Sequence, residues 1–359
     1  MSIKATAEAA KASLPALAKS PASARNAFLE RVAYNLKRSA RALIAENAED
    51  VSKCLEAGQT DAFLDRLALN QHRVDGLISG LLNIASLPDP LFGVEGFERL
   101  DSGLQVGRMR VPLGVIAFIC EARPGAVAEA AALAVKSGNA MVCKPGKESA
   151  RSSRFLGALM KRSLIEAGLP EEAVTVLPVM ERSDIVELVS LEHAVDLVIP
   201  RGGEGLIRLV AENSRVPVLK HYKGVCHLYA DRGCDRDMAV NVIVDGKARR
   251  PGTCNALECV LVHEAEAEAL LPPLAASLKS NGVAVRASKE CLVHMKILGA
   301  ALTEARPEDW DREYLDLILN VRTVPDLDAA LAHIRLHGSN HTETIITRDL
   351  ANSRRFLAE

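Results

Sequence analysis

The chain has 359 residues, of which 48% are hydrophobic and 25% are charged, and its formal net charge is −2. A chain of this length forms about two or three domains and buries enough surface to fold without a disulfide or a metal. The near-neutral charge excludes the broad basic surface of a nucleic-acid-binding protein, and no apolar run is long enough to span a membrane. Residues 1–20 lack the apolar stretch of a signal peptide, so the expected location is the cytoplasm.

Residues 1–90 have the periodicity of helices. Phe28, Val32 and Leu36 recur at helical spacing, and Ser20-Pro21 offers a capping hydroxyl followed by a proline at the first helical position. A further helical pattern over 64–87 ends at a Pro-Asp-Pro segment, which breaks helices. We expect this region to serve packing and assembly rather than chemistry.

From residue 111 onward, short apolar runs alternate with helical patterns. The runs that read as buried strands are 114–120, 140–143, 174–179 and 195–200. This alternation predicts an α/β fold with a doubly wound, Rossmann-type parallel sheet, whose ligands bind beyond the carboxyl ends of the strands.

A second α/β stretch follows the apolar run 226–231. It combines a helix over 235–247, a strand over 258–263 and a helix over 265–280. We therefore place a domain boundary near residue 230. The predicted domains are 1–230, in which the segment near 100–125 serves partly in linking or oligomerisation, and 231–359.

Cys254 is the candidate nucleophile among the eight cysteines. It follows Lys247, Arg249 and Arg250, and cations near a thiol favour the nucleophilic thiolate. The intervening Pro-Gly turn could present Cys254 at a strand entrance with backbone amides free to bind an oxyanion. The alternative is a buried turn cysteine beside a solvated basic face.

Three further segments lie at predicted strand ends. The glycine turn 201–205 could admit a phosphate to a helix N-terminus, or could be only a structural turn. Lys144 and Lys147 could meet a cofactor phosphate or ribose, or lie in a plain exposed loop. Arg123 could clamp a carboxylate or phosphate, or pair with Glu121 or Glu129.

The histidines provide no convincing metal site. His333, His337 and His341 are spaced by four, but Gly338 interrupts the helix and no carboxylate or thiolate completes the set. His227 is read as a core or strand-edge histidine. No Cys-x-x-Cys pair is present, so we expect no metal.

Many short motifs in this order resemble those of the gamma-glutamyl phosphate reductase family, within the aldehyde dehydrogenase superfamily. They are Asp65-Arg66-Leu67, Leu87-Pro88-Asp89-Pro90, Arg110-Val111-Pro112-Leu113-Gly114-Val115, Glu121-Ala122-Arg123-Pro124, Lys136-Ser137-Gly138-Asn139, Ile199-Pro200-Arg201-Gly202-Gly203, Lys220-His221, Gly224-Val225-Cys226-His227, Arg250-Pro251-Gly252-Thr253-Cys254-Asn255-Ala256, Leu317-Ile318-Leu319-Asn320-Val321 and His337-Gly338-Ser339-Asn340-His341. The resemblance runs from the N-terminal helices to the last residue.

This resemblance implies an NADPH-dependent reduction of L-glutamate 5-phosphate to L-glutamate 5-semialdehyde in proline biosynthesis. Cys254 matches the catalytic cysteine, which forms a thioester as phosphate leaves. Related enzymes that hydrolyse the thioester use a glutamate in a Glu-Leu-Gly-Gly segment, and the similar position here, 220–224, has none. A hand-off of the substrate from glutamate 5-kinase is also implied.

The resemblance assigns roles to particular residues. The resemblance implies that Cys254 and Asn255 are catalytic, and that Asn255 and the Cys254 amide donate hydrogen bonds to the oxyanion. Arg123 and Arg250 are the residues expected to bind the substrate. The residues expected at the NADP cofactor are Lys144, Gly202, Gly203, Gly205 and Asp316. The domain 1–230 then carries NADP, and 231–359 is the catalytic domain.

Several departures leave alternatives open. Gly125-Ala126 and the Lys-Pro-Gly segment at Lys144 differ from the usual family sequence, so NADPH and NADH both remain candidates. The family continues beyond Glu359 through a Phe-Gly-Leu-Gly-Ala-Glu segment and a closing oligomerisation strand. We therefore expect a truncated catalytic domain, and a homo-oligomer if the tail were present. The alternatives are a hydrolytic semialdehyde dehydrogenase and an inactive truncated homologue.

Overall fold

The computed structural model describes residues 2–178, 181–220 and 222–359. The chain divides into two compact units, Met1–Lys220 and His221–Glu359. Each has its own parallel sheet and is described separately below. None of the helices in the described ranges is both long enough and apolar enough to cross a lipid bilayer.

Thirteen α-helices and twelve β-strands follow one another along the described chain. The helices are α1 Ile3–Ala18, α2 Ala22–Glu56, α3 Asp61–Leu67, α4 Gln71–Ser86, α5 Pro124–Lys136, α6 Ala150–Glu166, α7 Arg182–Val189, α8 Glu204–Asn213, α9 Arg236–Ala248, α10 Ala267–Ser280, α11 Lys289–Leu292, α12 Leu327–His337 and α13 Leu350–Ala358. The strands are β1 Val94–Arg99, β2 Gln105–Met109, β3 Val115–Cys120, β4 Ala140–Lys144, β5 Val174–Val176, β6 Leu197–Arg201, β7 Cys226–Ala230, β8 Leu257–His263, β9 Ala284–Ala287, β10 Leu302–Glu304, β11 Ile318–Val324 and β12 Glu343–Ile346.

The first unit is built on a four-stranded sheet in the order β5-β4-β3-β6, with every neighbouring pair parallel. All six residues of β3 are buried, as expected for a strand covered by helices on both faces. From β3 the chain adds β4 and then β5 on one side, and it returns to add β6 on the other side of β3. A ligand crevice is therefore expected beyond the carboxyl end of β3, at Cys120 and Glu121.

The second unit contains a six-stranded parallel sheet in the order β10-β9-β11-β8-β7-β12. The register slips between β7 and β8, where Cys226 pairs with Leu257 but His227 pairs with Cys259. Glu258 is thus the extra residue of a bulge at the entrance to β8, and bulges re-aim side chains. This bulge lies immediately after the Cys254 segment.

The predicted parallel α/β architecture is confirmed in both units, but the predicted boundary near residue 230 is displaced. The division falls at Lys220/His221, because β7 pairs with β8 and β12 and so belongs to the second sheet. The predicted strand 174–179 is β5, which ends at Val176, and residue 179 lies outside the described ranges.

Two local expectations for the N-terminal region were wrong. Ser20 does not cap α2, because its hydroxyl donates to the Leu17 carbonyl and the residue at the N-cap is Pro21. The helical pattern 64–87 is divided into α3 and α4, because the Asn70 side chain accepts from the Arg73 amide and starts a new helix.

The antiparallel hairpin of β1 and β2 was not predicted from the sequence. All residues of its two strands are exposed. Its apolar side chains Val94, Phe97, Val106 and Met109 face solvent in this chain. Exposed apolar surface of this kind is typical of an assembly surface.

Candidate active site

The candidate nucleophile lies in the loop 249–256, between the end of α9 and the start of β8. The loop consists of two successive turns: the Thr253 amide donates to the Arg250 carbonyl at 3.3 Å, and the Ala256 amide donates to the Thr253 carbonyl at 3.0 Å. Among residues 222–359, no backbone hydrogen bond uses the amides of Cys254 or Asn255. Those two amides are therefore free to stabilise an oxyanion.

Exposure distinguishes Cys254 from the other cysteines. All eight lie in the described ranges, and seven of them are buried, whereas Cys254 is partly exposed. A nucleophilic thiol must reach its substrate, while a buried structural thiol is inert. The alternative of a buried turn cysteine is therefore wrong.

The back of the loop is held by the segment that leads into β7. Gly224 packs so closely that an added Cβ would stand 1.8 Å from the Cys254 carbonyl oxygen and 2.9 Å from Oε1 of Glu313. The Cys226 thiol donates to the same carbonyl at 3.3 Å. Burial raises the pKa of Cys226 to about 12, so this thiol remains a protonated donor. These contacts fix the backbone of Cys254 from behind and leave its side chain partly accessible.

A buried ion pair spans the base of the loop. Lys247, in the last turn of α9, donates to Glu258 Oε2 at 2.8 Å, and both side chains are 0% exposed. Burial raises the pKa of Glu258 to about 7 and lowers the pKa of Lys247, while the contact between them opposes both shifts. Lys247 is therefore not a free cation beside the thiol, contrary to the prediction. Its charge is already compensated by Glu258.

The second oxygen of Glu258 ties a further segment to the loop. The Leu315 amide donates to Glu258 Oε1 at 3.2 Å, and Leu315 has a φ of 54°, a left-handed conformation that is costly for a leucine. The Leu315 carbonyl lies 3.8 Å from the position of a Cβ on Gly252. Asp316, the residue predicted at the nicotinamide ribose, is exposed and follows directly. The fold thus brings Asp316 to the Cys254 loop.

The remaining predicted residues of the second unit are solvent-accessible. Asn255 and Arg250 are both exposed on the loop. Arg249 is also exposed and lies 3.9 Å from the carboxylate of Asp245, one turn earlier in α9. Arg250 is therefore an exposed arginine of the loop that could meet an anionic substrate.

The predicted cofactor residues other than Asp316 lie at the carboxyl edge of the first sheet. Lys144 ends β4, and Gly203 is the N-cap of α8, which follows β6. A Cβ on Gly202 would stand 2.5 Å from the Glu121 side chain, whereas a Cβ on Gly205 would have no neighbour within 4 Å. The turn is therefore packed on one side and open on the other. Arg123 lies at the same edge, as the N-cap of α5.

Glu121 is the residue at this edge that the sequence reading missed. Its carboxylate accepts a hydrogen bond from the Gly203 amide at 3.0 Å, at the position where a phosphate was predicted to approach. The spacing of 82 residues between the partners gives no local signal in the sequence. Gly224, Glu258 and Glu313 were missed for the same reason, since each acts through a contact that only folding creates.

Replacing Gly224 with alanine is expected to displace the Cys254 backbone and lower kcat/KM by about 10²-fold, because small misplacements of reacting groups are that costly. The methyl group has no room beside the Cys254 carbonyl oxygen. Steady-state kinetics of the variant tests this expectation.

The matched control is Gly246→Ala, in the neighbouring helix α9. Its Cβ meets Leu257 at an ordinary 3.6 Å, and alanine favours a helix over glycine. Equal kinetics for the two variants would show that the close contact at Gly224 does not position the thiol.

Comparison with known proteins identifies the family of this chain. The aldehyde dehydrogenase family model matches residues 1–293. The gamma-glutamyl phosphate reductase of Anaeromyxobacter sp. (strain K) is 46% identical over 353 residues, covering 98% of this chain and 83% of that protein. The gamma-glutamyl phosphate reductase of Thermus thermophilus is 51% identical over 317 residues, covering 88% of this chain and 76% of that protein.

The fold gives the same result. The crystal structure of the gamma-glutamyl phosphate reductase from Thermotoga maritima matches with a TM-score of 0.93 at 34% identity, covering 100% of this chain and 86% of that one. Aldehyde dehydrogenases are oxidoreductases that act on small molecules with a nicotinamide cofactor. The chain belongs to the gamma-glutamyl phosphate reductases of the aldehyde dehydrogenase family.

Proposed function

We propose that the chain reduces L-glutamate 5-phosphate to L-glutamate 5-semialdehyde with NADPH, releasing phosphate, as a step of proline biosynthesis in the cytoplasm. The observation that carries the proposal is Cys254, which alone among the eight cysteines is partly exposed and sits in a loop where the amides of Cys254 and Asn255 make no backbone hydrogen bond to the described residues. Family membership supplies the reaction class.

The thiolate of Cys254 attacks the acyl carbon of the substrate. A carbon–sulfur bond forms, the bond to the phosphate oxygen breaks, and phosphate leaves with that electron pair. The oxyanion of the tetrahedral intermediate is stabilised by the amides of Cys254 and Asn255, and by the Asn255 side chain. The resulting thioester then accepts hydride at its carbonyl carbon, and expulsion of the Cys254 thiolate yields the aldehyde.

The nicotinamide cofactor supplies that hydride when it is bound. The carboxyl edge of the first sheet fits such a group, because a Cβ on Gly205 in the first turn of α8 would have no neighbour within 4 Å and Lys144 stands at the carboxyl end of β4, on the other side of β3 from β6. Lys144 would hold a ribose or phosphate there, and Gly202, Gly203 and Gly205 would line the cofactor. In the second unit, Asp316 would hold the ribose next to the nicotinamide.

Arg123 and Arg250 are proposed to hold the anionic ends of the substrate. Arg250 is exposed on the Cys254 loop, and Arg123 starts α5 at the edge of the first sheet. A guanidinium binds carboxylate or phosphate through two parallel hydrogen bonds, which fixes orientation as well as charge. Arg250, on the same loop as Cys254, thus contributes to positioning the acyl carbon at the thiol.

We further propose a homo-oligomer and a hand-off of the labile acyl phosphate from glutamate 5-kinase. The apolar β1–β2 hairpin supports the first of these, because its side chains at Val94, Phe97, Val106 and Met109 would be covered by a second copy. The second rests on the chemistry of the substrate, since an acyl phosphate hydrolyses in water and benefits from direct transfer.

A second candidate function is a hydrolytic semialdehyde dehydrogenase. The segment 220–224 contains no glutamate to activate water, and His221 in it lies outside the described ranges. Glu313 nevertheless places a carboxylate oxygen 2.9 Å from the position of a Cβ on Gly224, next to the Cys254 carbonyl. This carboxylate is the one specific observation that favours hydrolysis, because a nearby base can activate water.

The dependence on phosphate separates the two functions. The purified chain is given glutamate semialdehyde and NADP, with and without inorganic phosphate, and NADP reduction is followed. We expect reduction only with phosphate, because phosphate must attack the thioester to complete the reverse reaction. Reduction without phosphate that is lost in Glu313→Gln would establish the hydrolytic dehydrogenase instead. No turnover in either condition, with the chain folded, would leave the inactive homologue.

A further inference from the structure

A buried cluster of metal-binding side chains lies in the second unit, apart from the Cys254 thiol. It consists of His227, Cys259 and His333, all three buried. One ring nitrogen of each histidine and the Cys259 sulfur all lie within 4.8 Å of one another. Cys259 Sγ and His333 Nε2 are 3.7 Å apart.

The register of the parallel sheet creates this cluster. His227 on β7 pairs with Cys259 on β8 and with Glu343 on β12, so the three residues form a row across neighbouring strands. Side chains at paired positions point to the same face of a sheet. His333 reaches this row from α12, whose residues Leu327, Ala330 and Leu331 pack with those of β7 and β8.

The polar groups of His227 are poorly satisfied by the protein. The residue is 1% exposed, and its Nε2 has no hydrogen-bond partner among the residues that the structure describes. Glu343 Oε2 lies 3.2 Å from His227 Nδ1 and accepts the His227 backbone amide at 3.0 Å. Buried polar atoms are nearly always satisfied, so an orphaned imidazole nitrogen indicates a missing partner.

We propose that His227, Cys259 and His333 bind a divalent transition metal, with Zn²⁺ the ion best matched to the two imidazoles and the thiolate. Zn–S and Zn–N bonds of about 2.3 and 2.0 Å hold the two ligand atoms about 3.5 Å apart in a tetrahedron, close to the separation seen here between Cys259 and His333. Glu343 orients His227 through Nδ1 and leaves Nε2 for the metal, the usual carboxylate–histidine–metal arrangement.

Binding requires two proton movements. The Cys259 thiol releases its proton to solvent, as any metal-binding cysteine must. Arg322 Nη1 lies 3.3 Å from His333 Nδ1, and an arginine can only donate, so the neutral ring carries its proton on Nε2. Metal binding moves that proton to Nδ1 and turns the Arg322 guanidinium away, which is feasible because this side chain is exposed.

The site is structural rather than catalytic. His227 follows Cys226, whose thiol donates to the Cys254 carbonyl, and Cys259 follows Glu258 at the base of the Cys254 loop. Because successive residues of a strand face opposite sides, His227 points to the face opposite that of Cys226, whose thiol contacts the Cys254 carbonyl. A metal there would clamp β7, β8 and α12 beneath the active-site loop.

The test uses the purified full chain and its Cys254→Ser variant, so that the accessible thiol cannot account for binding. Both are stripped with a chelator and titrated with Co²⁺ and Zn²⁺. We expect one Co²⁺ per chain with a thiolate-to-cobalt charge-transfer band in both, and a rise in Tm of about 5 °C with saturating Zn²⁺. Cys259→Ser is expected to lose the band, and His333→Gln to weaken Zn²⁺ binding at least about 100-fold.

His294→Gln is the matched control, since His294 lies in the same unit outside the cluster, and it should bind Zn²⁺ like the parent. If Cys259→Ser does not fold, His333→Gln and the parent chain still decide the question. Failure of the parent to bind one equivalent of metal would overturn the proposal. So would a cobalt band that Cys254→Ser removes and Cys259→Ser retains, because the metal would then sit on the accessible thiol.

Discussion

Replacing Cys254 with serine is expected to lower phosphate-dependent reduction of NADP by glutamate semialdehyde by about 10⁴-fold or more, because loss of a covalent nucleophile removes the main chemical step. The serine keeps the size of the side chain but is a far weaker nucleophile near neutral pH. Since Cys254 is only partly buried, the substitution should leave the free energy of unfolding almost unchanged. The rate and the unfolding curve are measured on the same preparation.

The matched control is Cys234→Ser. Cys234 is buried in the turn that follows β7, at the opposite edge of the sheet from the Cys254 loop. This variant should keep its turnover, although it will lose some stability. A rate for Cys254→Ser within a few-fold of the parent would remove the thioester from the mechanism.

Replacing Glu258 with glutamine is expected to destabilise the second unit by about 3–5 kcal/mol, because Lys247 would be left as a buried charge without a partner. The ammonium and the carboxylate are 2.8 Å apart and both are 0% exposed, so water cannot replace the missing group. Trp310 is the only tryptophan of the chain and lies in the second unit, so urea unfolding followed by its fluorescence reports on that unit.

Two variants make this measurement decisive. Lys247→Met combined with Glu258→Leu replaces the pair by apolar side chains and should recover much of the lost stability, because burying two charges is itself costly. Arg249→Ala removes a cation from the exposed pair with Asp245 and should change stability little. A loss for Glu258→Gln no larger than that for Arg249→Ala would contradict the role given to the buried pair.

Most strands of the two parallel sheets could be predicted from the local sequence. Continuous apolar runs predicted β3, β4 and β8, because a strand covered on both faces must be apolar along its length. The exposed hairpin of β1 and β2 was missed because it has no buried face to impose a pattern. The boundary was misplaced because the pairing of β7 with β12 joins residues 116 positions apart, which no local signal encodes.

For the site, the sequence by itself determined that Cys254 stands in a tight Pro-Gly turn at a strand entrance, since those residue types restrict the backbone locally. Only the tertiary structure decided that Cys254 is the accessible thiol. It also decided that the charge of Lys247 is balanced by an ion pair with Glu258, and that the Gly203 amide donates its hydrogen bond to the Glu121 carboxylate. It likewise decided that His333, which also contacts His337 one turn along its own helix, meets His227 and Cys259. The physical reason is that exposure, charge pairing and ligand geometry depend on strand register and helix packing, which are set by the whole buried core and not by any one segment.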